Sequence, residues 1–177
     1  MIYVVRHGET DWNKSGKMQG RTDIELNDTG RLQAEKVRDE LSGVKFDLVF
    51  SSPLKRAVQT AEIITGSEPV TDYRLIEKGQ GLLEGVDLDE IKRLKLMPSY
   101  SDGDYGVEPW SSVKERINSF FDEKSELFKG KNVLIVTHGA ACVRIRVRFE
   151  GEPEDGNYFL LIPPNCKCLV YSGNQHI

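Results

Sequence analysis

Two short apolar runs each end in a histidine–glycine pair. One is Ile2-Tyr3-Val4-Val5-Arg6-His7-Gly8, and the other is Val133-Leu134-Ile135-Val136-Thr137-His138-Gly139. Imidazole titrates near neutral pH, so it can serve as a proton carrier or as a nucleophile. Runs this rich in β-branched residues read as strands buried on both faces, as in parallel sheets with helices above and below. Ligands collect at the carboxyl ends of such strands. Two histidines carried to that edge can therefore face one ligand. His176, the remaining histidine, lies in the terminal tail.

The elements that must position these residues alternate along the chain. Asn27 is placed to cap a helix running through Leu41, with Gly30, Ala34 and Val37 at helical spacing and Gly43 beyond its end. Leu48-Val49-Phe50-Ser51 reads as a strand that passes into a helix at Pro53, with Ala57, Ala61 and Ile64 as its buried stripe and Gly66 as its stop. Pro69-Val70-Thr71 is a short strand, and a short helix is expected around Asp87 to Leu94. Met97 through Gly106 is rich in turn residues. Trp110 to Phe128 has the periodicity of an amphipathic helix. Val143-Arg144-Ile145-Arg146-Val147-Arg148-Phe149 alternates as a half-buried strand would. A crossover helix should nevertheless follow the strand ending at Thr137, so helix and strand both stay open there, with helix from Ala140 preferred. Tyr158 to Leu161 and Lys167 to Tyr171 read as extended. The expected architecture is α/β, a three-layer α/β/α sandwich with a mostly parallel central sheet. It forms a single domain over residues 1–177, with a small cap segment at about 78–109.

Bulk composition narrows the classes. With 177 residues, 38% hydrophobic and 29% charged, the chain has the make-up of an ordinary soluble domain. A net charge of −4 argues against a general nucleic-acid surface, so an anionic ligand would need a local basic pocket. No apolar run reaches the roughly 20 residues that span a bilayer. The start of the chain lacks a secretory pattern, and the three cysteines Cys142, Cys166 and Cys168 form no C-x-x-C pair. A cytoplasmic location with reduced thiols is the expectation. Cys166 and Cys168, two apart on a strand, would point to one face and make a poor disulfide.

Taken together, Arg6-His7-Gly8-Glu9-Thr10, Trp12-Asn13, Gln19-Gly20, Leu26-Asn27-Asp28-Thr29-Gly30, Ser51-Ser52-Pro53-Leu54-Lys55-Arg56-Ala57-x-Gln59-Thr60-Ala61 and Thr137-His138-Gly139 resemble the histidine phosphatase superfamily. That group includes cofactor-dependent phosphoglycerate mutases and many small phosphatases. The resemblance spans nearly the whole chain, to about Asn165. It implies a phosphomonoesterase for a small phosphorylated metabolite, with no metal or other cofactor, acting through a phosphohistidine on His7. Arg6 and Arg56 would present guanidinium forks to the phosphate, with Asn13, Gln19, Gly20 and Gly139 around it. A protonated His138 would add charge as the transferring group flattens. Gly8 would leave room for the phosphate. Within Arg74 to Gly85, matching by the glycines places the acid/base carboxyl on Glu77, with Glu84 as competitor. A monomer or homodimer acting on a small phosphorylated substrate, with no nucleic acid or membrane partner, completes the expectation.

Departures from the family pattern bear on the substrate. Gly106-Val107-Glu108-Pro109 stands where Gly-Gly-Glu-Ser is common, so only Glu108 could reach the site there, and Leu83 replaces a frequent tryptophan. The short cap and the few residues after the last strand favour hydrolysis over a mutase, which must keep water from its phosphohistidine. A mutase acting on phosphoglycerate and a phosphate-binding module without turnover are the alternatives. Arg144 and Arg148 are expected on a solvated face, Lys55 is expected to be exposed, and Trp110, Phe120 and Phe121 are expected in the core.

Overall fold

The computed structural model describes residues 1–93, 104–154 and 156–172. Five strands form one sheet: β1 (Ile2–Arg6), β2 (Leu48–Ser51), β3 (Val70–Thr71), β4 (Val133–Thr137) and β5 (Cys168–Tyr171), in the order β3-β2-β4-β1-β5. The first four run parallel, and β5 pairs antiparallel with β1. The six α-helices among the described residues are α1 (Asp11–Lys14), α2 (Asp28–Glu40), α3 (Lys55–Thr65), α4 (Leu88–Arg93), α5 (Trp110–Phe128) and α6 (Gly139–Glu150).

The sheet is central because its middle strand, β4, is buried at every position. Alternate residues of the strands divide the core into two layers. Ile2, Val4, Phe50, Val133 and Ile135 pack on α5 and α6, whereas Val5, Leu134 and Val136 pack on α2 and α3. The stripe of α5 (Val113, Ile117, Phe120, Phe121 and Phe128) is buried as its periodicity requires. Burying one such side chain contributes about 1.5–3 kcal/mol. A smaller cluster, built on Leu83, Ile91 and Val107, joins α4 to the loop at Met18. Helices on both faces of a mostly parallel sheet make this the α/β sandwich that the alternation of elements implies. No helix among the described residues is long and apolar enough to cross a membrane.

Local chemistry explains several boundaries. Asn27 caps α2 by accepting from the Gly30 amide, and Gly66 ends α3 in the left-handed conformation. Helix α3 begins at Lys55 rather than at Pro53. The Ser52 hydroxyl accepts from the Leu54 amide and Asp23 Oδ1 accepts from that of Lys55, so side chains satisfy the first amides of the turn.

The alternating stretch 143–149 lies inside α6, as the preferred helix from Ala140 has it. Three other expectations are corrected. First, Arg144 and Arg148 are not on a solvated face but cover aromatic rings. Arg144 is buried, 4.9 Å from the centres of both Trp110 and Tyr158, and Arg148 lies 5.5 Å from that of Phe121 and 2.7 Å from Asp122. Guanidinium planes on ring faces behave as part of the core. Second, Tyr158–Leu161 is a 3-10 turn, nucleated where the Asn157 side chain accepts from the Phe159 amide. Third, Cys166 precedes β5 in a turn with φ 55°, so it does not share a strand face with Cys168. All three cysteines are free thiols. Of the turn-rich stretch Met97 to Gly106, only Asp104–Gly106 is described, and His176 lies outside the described residues.

Candidate active site

Parallel pairing of β1 with β4 aligns Arg6 with Thr137, so each strand ends at the same level and releases a histidine there. The His7 amide donates to the Thr137 carbonyl at 2.9 Å. The two imidazoles consequently meet, with ring centroids 5.1 Å apart and planes tilted by 58°. Both side chains are buried.

Each ring is held by one nitrogen. His7 Nδ1 lies 2.7 Å from the Gly8 carbonyl. A carbonyl only accepts, so Nδ1 carries the proton and the lone pair sits on Nε2. His138 Nε2 lies 2.7 Å from the Ser52 hydroxyl, while its Nδ1 is buried without a hydrogen-bond partner in the protein. Burial keeps His7 well below the ordinary histidine pKa, reinforced by the charges of Arg56 and then Arg6. His138 is held low for the same leading reason, followed by Arg56.

Arg56 enters from the first turn of α3 and is fully buried. It donates through Nη1 to the Thr22 carbonyl and through Nη2 to the Gly20 carbonyl, both at 2.8 Å, and burial lowers its pKa to about 10. Arg6 donates through Nη1 to the Pro163 carbonyl at 2.7 Å. The Nε atoms of both arginines are buried without a protein partner. Buried orphan donors are uncommon and call for a ligand or water.

A cavity of about 550 Å³ opens over this group. Arg6, His7, Asn13, Gln19, Arg56, Glu77 and Gly139 line it. Asn13 stands on α1, in a capping box with Thr10, and Gln19 Oε1 accepts from the Thr10 hydroxyl. Gly20 is not among the lining residues. Its left-handed backbone (φ 55°) carries the carbonyl that holds Arg56, and a Cβ there would strike Glu84. A Cβ on Gly8 would strike the Gly30 carbonyl, so the glycine lets the histidine loop touch the first turn of α2.

The two carboxylates separate cleanly in space. Glu77 lines the cavity, and its carboxylate accepts from the Ala140 amide at the start of α6, 3.1 Å and 3.3 Å from its two oxygens. Glu84 is not among the lining residues and accepts from the amides of Arg21, Thr22 and Gln80 and from the Thr22 hydroxyl. Glu108 does not reach the cavity either. It is paired with Arg21 and Arg116, which hold its pKa low against the opposing effect of burial.

Sequence reasoning quoted several other positions only as motif letters or passed over them. Ser52 anchors His138. The Thr60 hydroxyl accepts from the Gly8 amide and donates to the Arg56 carbonyl, tying the His7 loop to α3. Asn165 donates to the His7 carbonyl at 2.9 Å. Arg116 donates to the Arg74 and Ile76 carbonyls, and Thr137 to that of Leu75, together fixing the backbone that carries Glu77. Ser52 and Thr60 could have been found from their place inside the Ser-Ser-Pro block. Arg116 gave no signal, being one charged residue on an amphipathic helix.

Comparison with known proteins agrees with this geometry. Residues 2–175 match the histidine phosphatase superfamily (branch 1). The chain is 37% identical over 151 residues to phosphoglycerate mutase-like protein 4 of Arabidopsis thaliana, covering 78% of this chain and 66% of that protein. It is 38% identical over 160 residues to the uncharacterized phosphatase PhoE of Bacillus subtilis, covering 86% and 79% respectively. Among solved structures, a mycobacterial glucosyl-3-phosphoglycerate phosphatase in complex with VO3 superposes with a TM-score of 0.82 at 27% identity, covering 94% of this chain and 90% of the other. Phosphoserine phosphatase of Entamoeba histolytica in complex with 3-phosphoglyceric acid gives 0.79 at 31% identity, covering 94% and 87%. With fold, strand-end histidines and sequence blocks in agreement, the chain belongs to the histidine phosphatase superfamily.

Proposed function

We propose that this protein hydrolyses a small phosphomonoester through a phosphohistidine on His7. One observation carries the reading: a neutral imidazole with its lone pair on Nε2, 5.1 Å from a second imidazole, stands among guanidinium groups at the floor of a cavity. Nε2 attacks phosphorus in line; the N–P bond forms as the P–O ester bond breaks. Glu77 gives its proton to the departing alkoxide. Water then attacks the phosphohistidine, Glu77 takes back a proton, and neutral His7 returns with release of phosphate. Arg6 and Arg56 counter the charge on the phosphoryl oxygens throughout. His138 Nδ1, the ring atom without a protein partner, is the donor left for that group. A dianion in contact with it would raise its pKa, so protonation of His138 accompanies substrate binding.

Hydrolysis of p-nitrophenyl phosphate, with and without a chelator, tests the reading. Turnover by wild type, its loss in His7→Ala, and acid-labile phosphate trapped on His7 after rapid quenching are expected. Equal activity in His7→Ala would overturn it. The Cytophaga hutchinsonii relative, a 2,3-bisphosphoglycerate-dependent phosphoglycerate mutase, is 32% identical and motivates one further arm. Isomerisation of 3-phosphoglycerate outpacing phosphate release, with a trace of bisphosphate present, would replace hydrolase by mutase.

A further inference from the structure

Arg56 takes its orientation from outside its own helix. Its bonds at 2.8 Å go to the carbonyls of Gly20 and Thr22, in the loop between α1 and α2. Those carbonyls can aim a guanidinium only as well as their own loop is held. Glu84 holds it. Its Oε1 accepts from the amides of Arg21 at 2.9 Å and Gln80 at 3.1 Å. Its Oε2 accepts from the amide of Thr22 at 2.9 Å and from the hydroxyl at 2.6 Å. Four donors thus occupy the roughly four lone-pair sites that a carboxylate offers. Gly20 turns past this carboxylate so closely that a Cβ would strike it. The backbone beside Glu84 is tied to the same loop, the Gly85 amide donating to the Met18 carbonyl and the Met18 amide to that of Val86.

The far side of the staple reaches the segment of Glu77. Gln80 lines the cavity three positions after Glu77, and Arg21 Nε donates to the Glu77 carbonyl at 3.2 Å. That segment is also fixed by Arg116 and Thr137, so loss of Glu84 would release chiefly the Gly20–Thr22 side. Burial opposes ionisation of Glu84, and the bonds from Thr22, Arg21 and Gln80 overcome it, holding the carboxyl below its ordinary pKa. An ionised carboxylate is an acceptor only, as its four donors require.

We propose that Glu84 is a positioning residue: it sets the place of the Arg56 guanidinium, and with it the affinity of the site for a phosphate group, without touching the substrate. The inference deepens the phosphatase reading and rests on it.

Binding of inorganic phosphate, followed by calorimetry, reads the grip of Arg56 without turnover. Glu84→Gln turns an NH₂ group towards donors and should weaken phosphate by about tenfold, the size of effect that one charge-assisted hydrogen bond carries. KM for p-nitrophenyl phosphate should rise in step, while the rate ratio of an alkyl phosphate to that ester stays at the wild-type value. In an Arg56→Lys background the same substitution should cost far less, because the fork it positions is gone. Thr22→Val removes one bond to Glu84 and should give a smaller loss in the same direction; it decides the matter if Glu84→Gln fails to fold. Unchanged phosphate affinity in the folded variants, or an equal loss in the Arg56→Lys background, would overturn the assignment. So would a loss confined to the alkyl ester, which would move Glu84 to proton transfer. The phosphatase reading falls separately, if wild type fails to hydrolyse p-nitrophenyl phosphate or His7→Ala equals it.

Discussion

His7, His138 and Arg56 stand on strand ends and a helix start, whereas Lys78, Gln80 and Phe159 stand on loops and single-turn helices. The inner group is buried and held by backbone carbonyls and hydroxyls, from Gly8, Gly20 and Thr22 to Ser52 and Pro163. The outer wall mixes lysines with partly exposed apolar side chains, Phe159 and Ile162 among them. Groups that carry out phosphoryl transfer need fixed geometry, which sheet ends provide. Groups that choose a substrate can sit on segments that vary without disturbing the sheet.

Substitutions on the two sides should therefore differ in kind. The largest effect is expected for His7→Ala, with kcat falling by about 10³-fold or more because no other group forms the covalent intermediate. Glu77→Gln comes next. Its amide oxygen can still accept from the Ala140 amide, so the loop is retained while the proton is lost. Hydrolysis of an alkyl phosphate should fall by about 10²–10⁴-fold. The p-nitrophenyl ester, whose leaving group needs little protonation, should lose much less. Equal losses on both esters would assign Glu77 to positioning alone.

A third test uses pH to probe the inner group through stability. His7 and His138 are held neutral in the folded protein, but in an unfolded chain they titrate near the ordinary value of about 6.5. Below that pH the unfolded chain binds protons that the folded one refuses. Stability should be full above about pH 6.5 and decline as pH falls, by up to about 1.4 kcal/mol per pH unit for each histidine. Urea midpoints across this range would show the decline, and His138→Gln should make it shallower. A midpoint indifferent to acid would contradict the burial of the rings. Smallest is Phe159→Ala on the outer wall, where a rise of about two- to fivefold in KM at constant kcat is expected. A comparable fall in kcat would erase the contrast between the two sides.

The parts legible in sequence follow the same division. Strands β1 and β4 announce themselves because full burial demands unbroken apolar runs, and their shared ending led directly to two facing histidines. Glu77 over Glu84 rested on matched glycines, and the structure separates the two by what each carboxylate touches. Over 143–149 a strand stayed open beside the preferred helix because periodicity counts arginine as polar, while Arg144 packs its guanidinium on Trp110 and Tyr158. The close approach of Gly8 to the Gly30 carbonyl is a contact between segments that local sequence cannot reveal.

Among the described residues strand β1 pairs with β4 and β5 alone, both encoded more than a hundred residues later. It is the earliest of the five strands to be synthesised and among the last to find its neighbours. At about 5–20 residues per second, a nascent chain carries Ile2–Arg6 unpartnered for roughly 7–26 s before Val133–Thr137 has been made. Throughout that interval the ribosome-bound polypeptide cannot bring its two strand-end histidines together, and an apolar segment is open to aggregation or to a holding chaperone. Slowing translation ahead of β4 should therefore lower the soluble yield of this protein more than the same delay placed after β5.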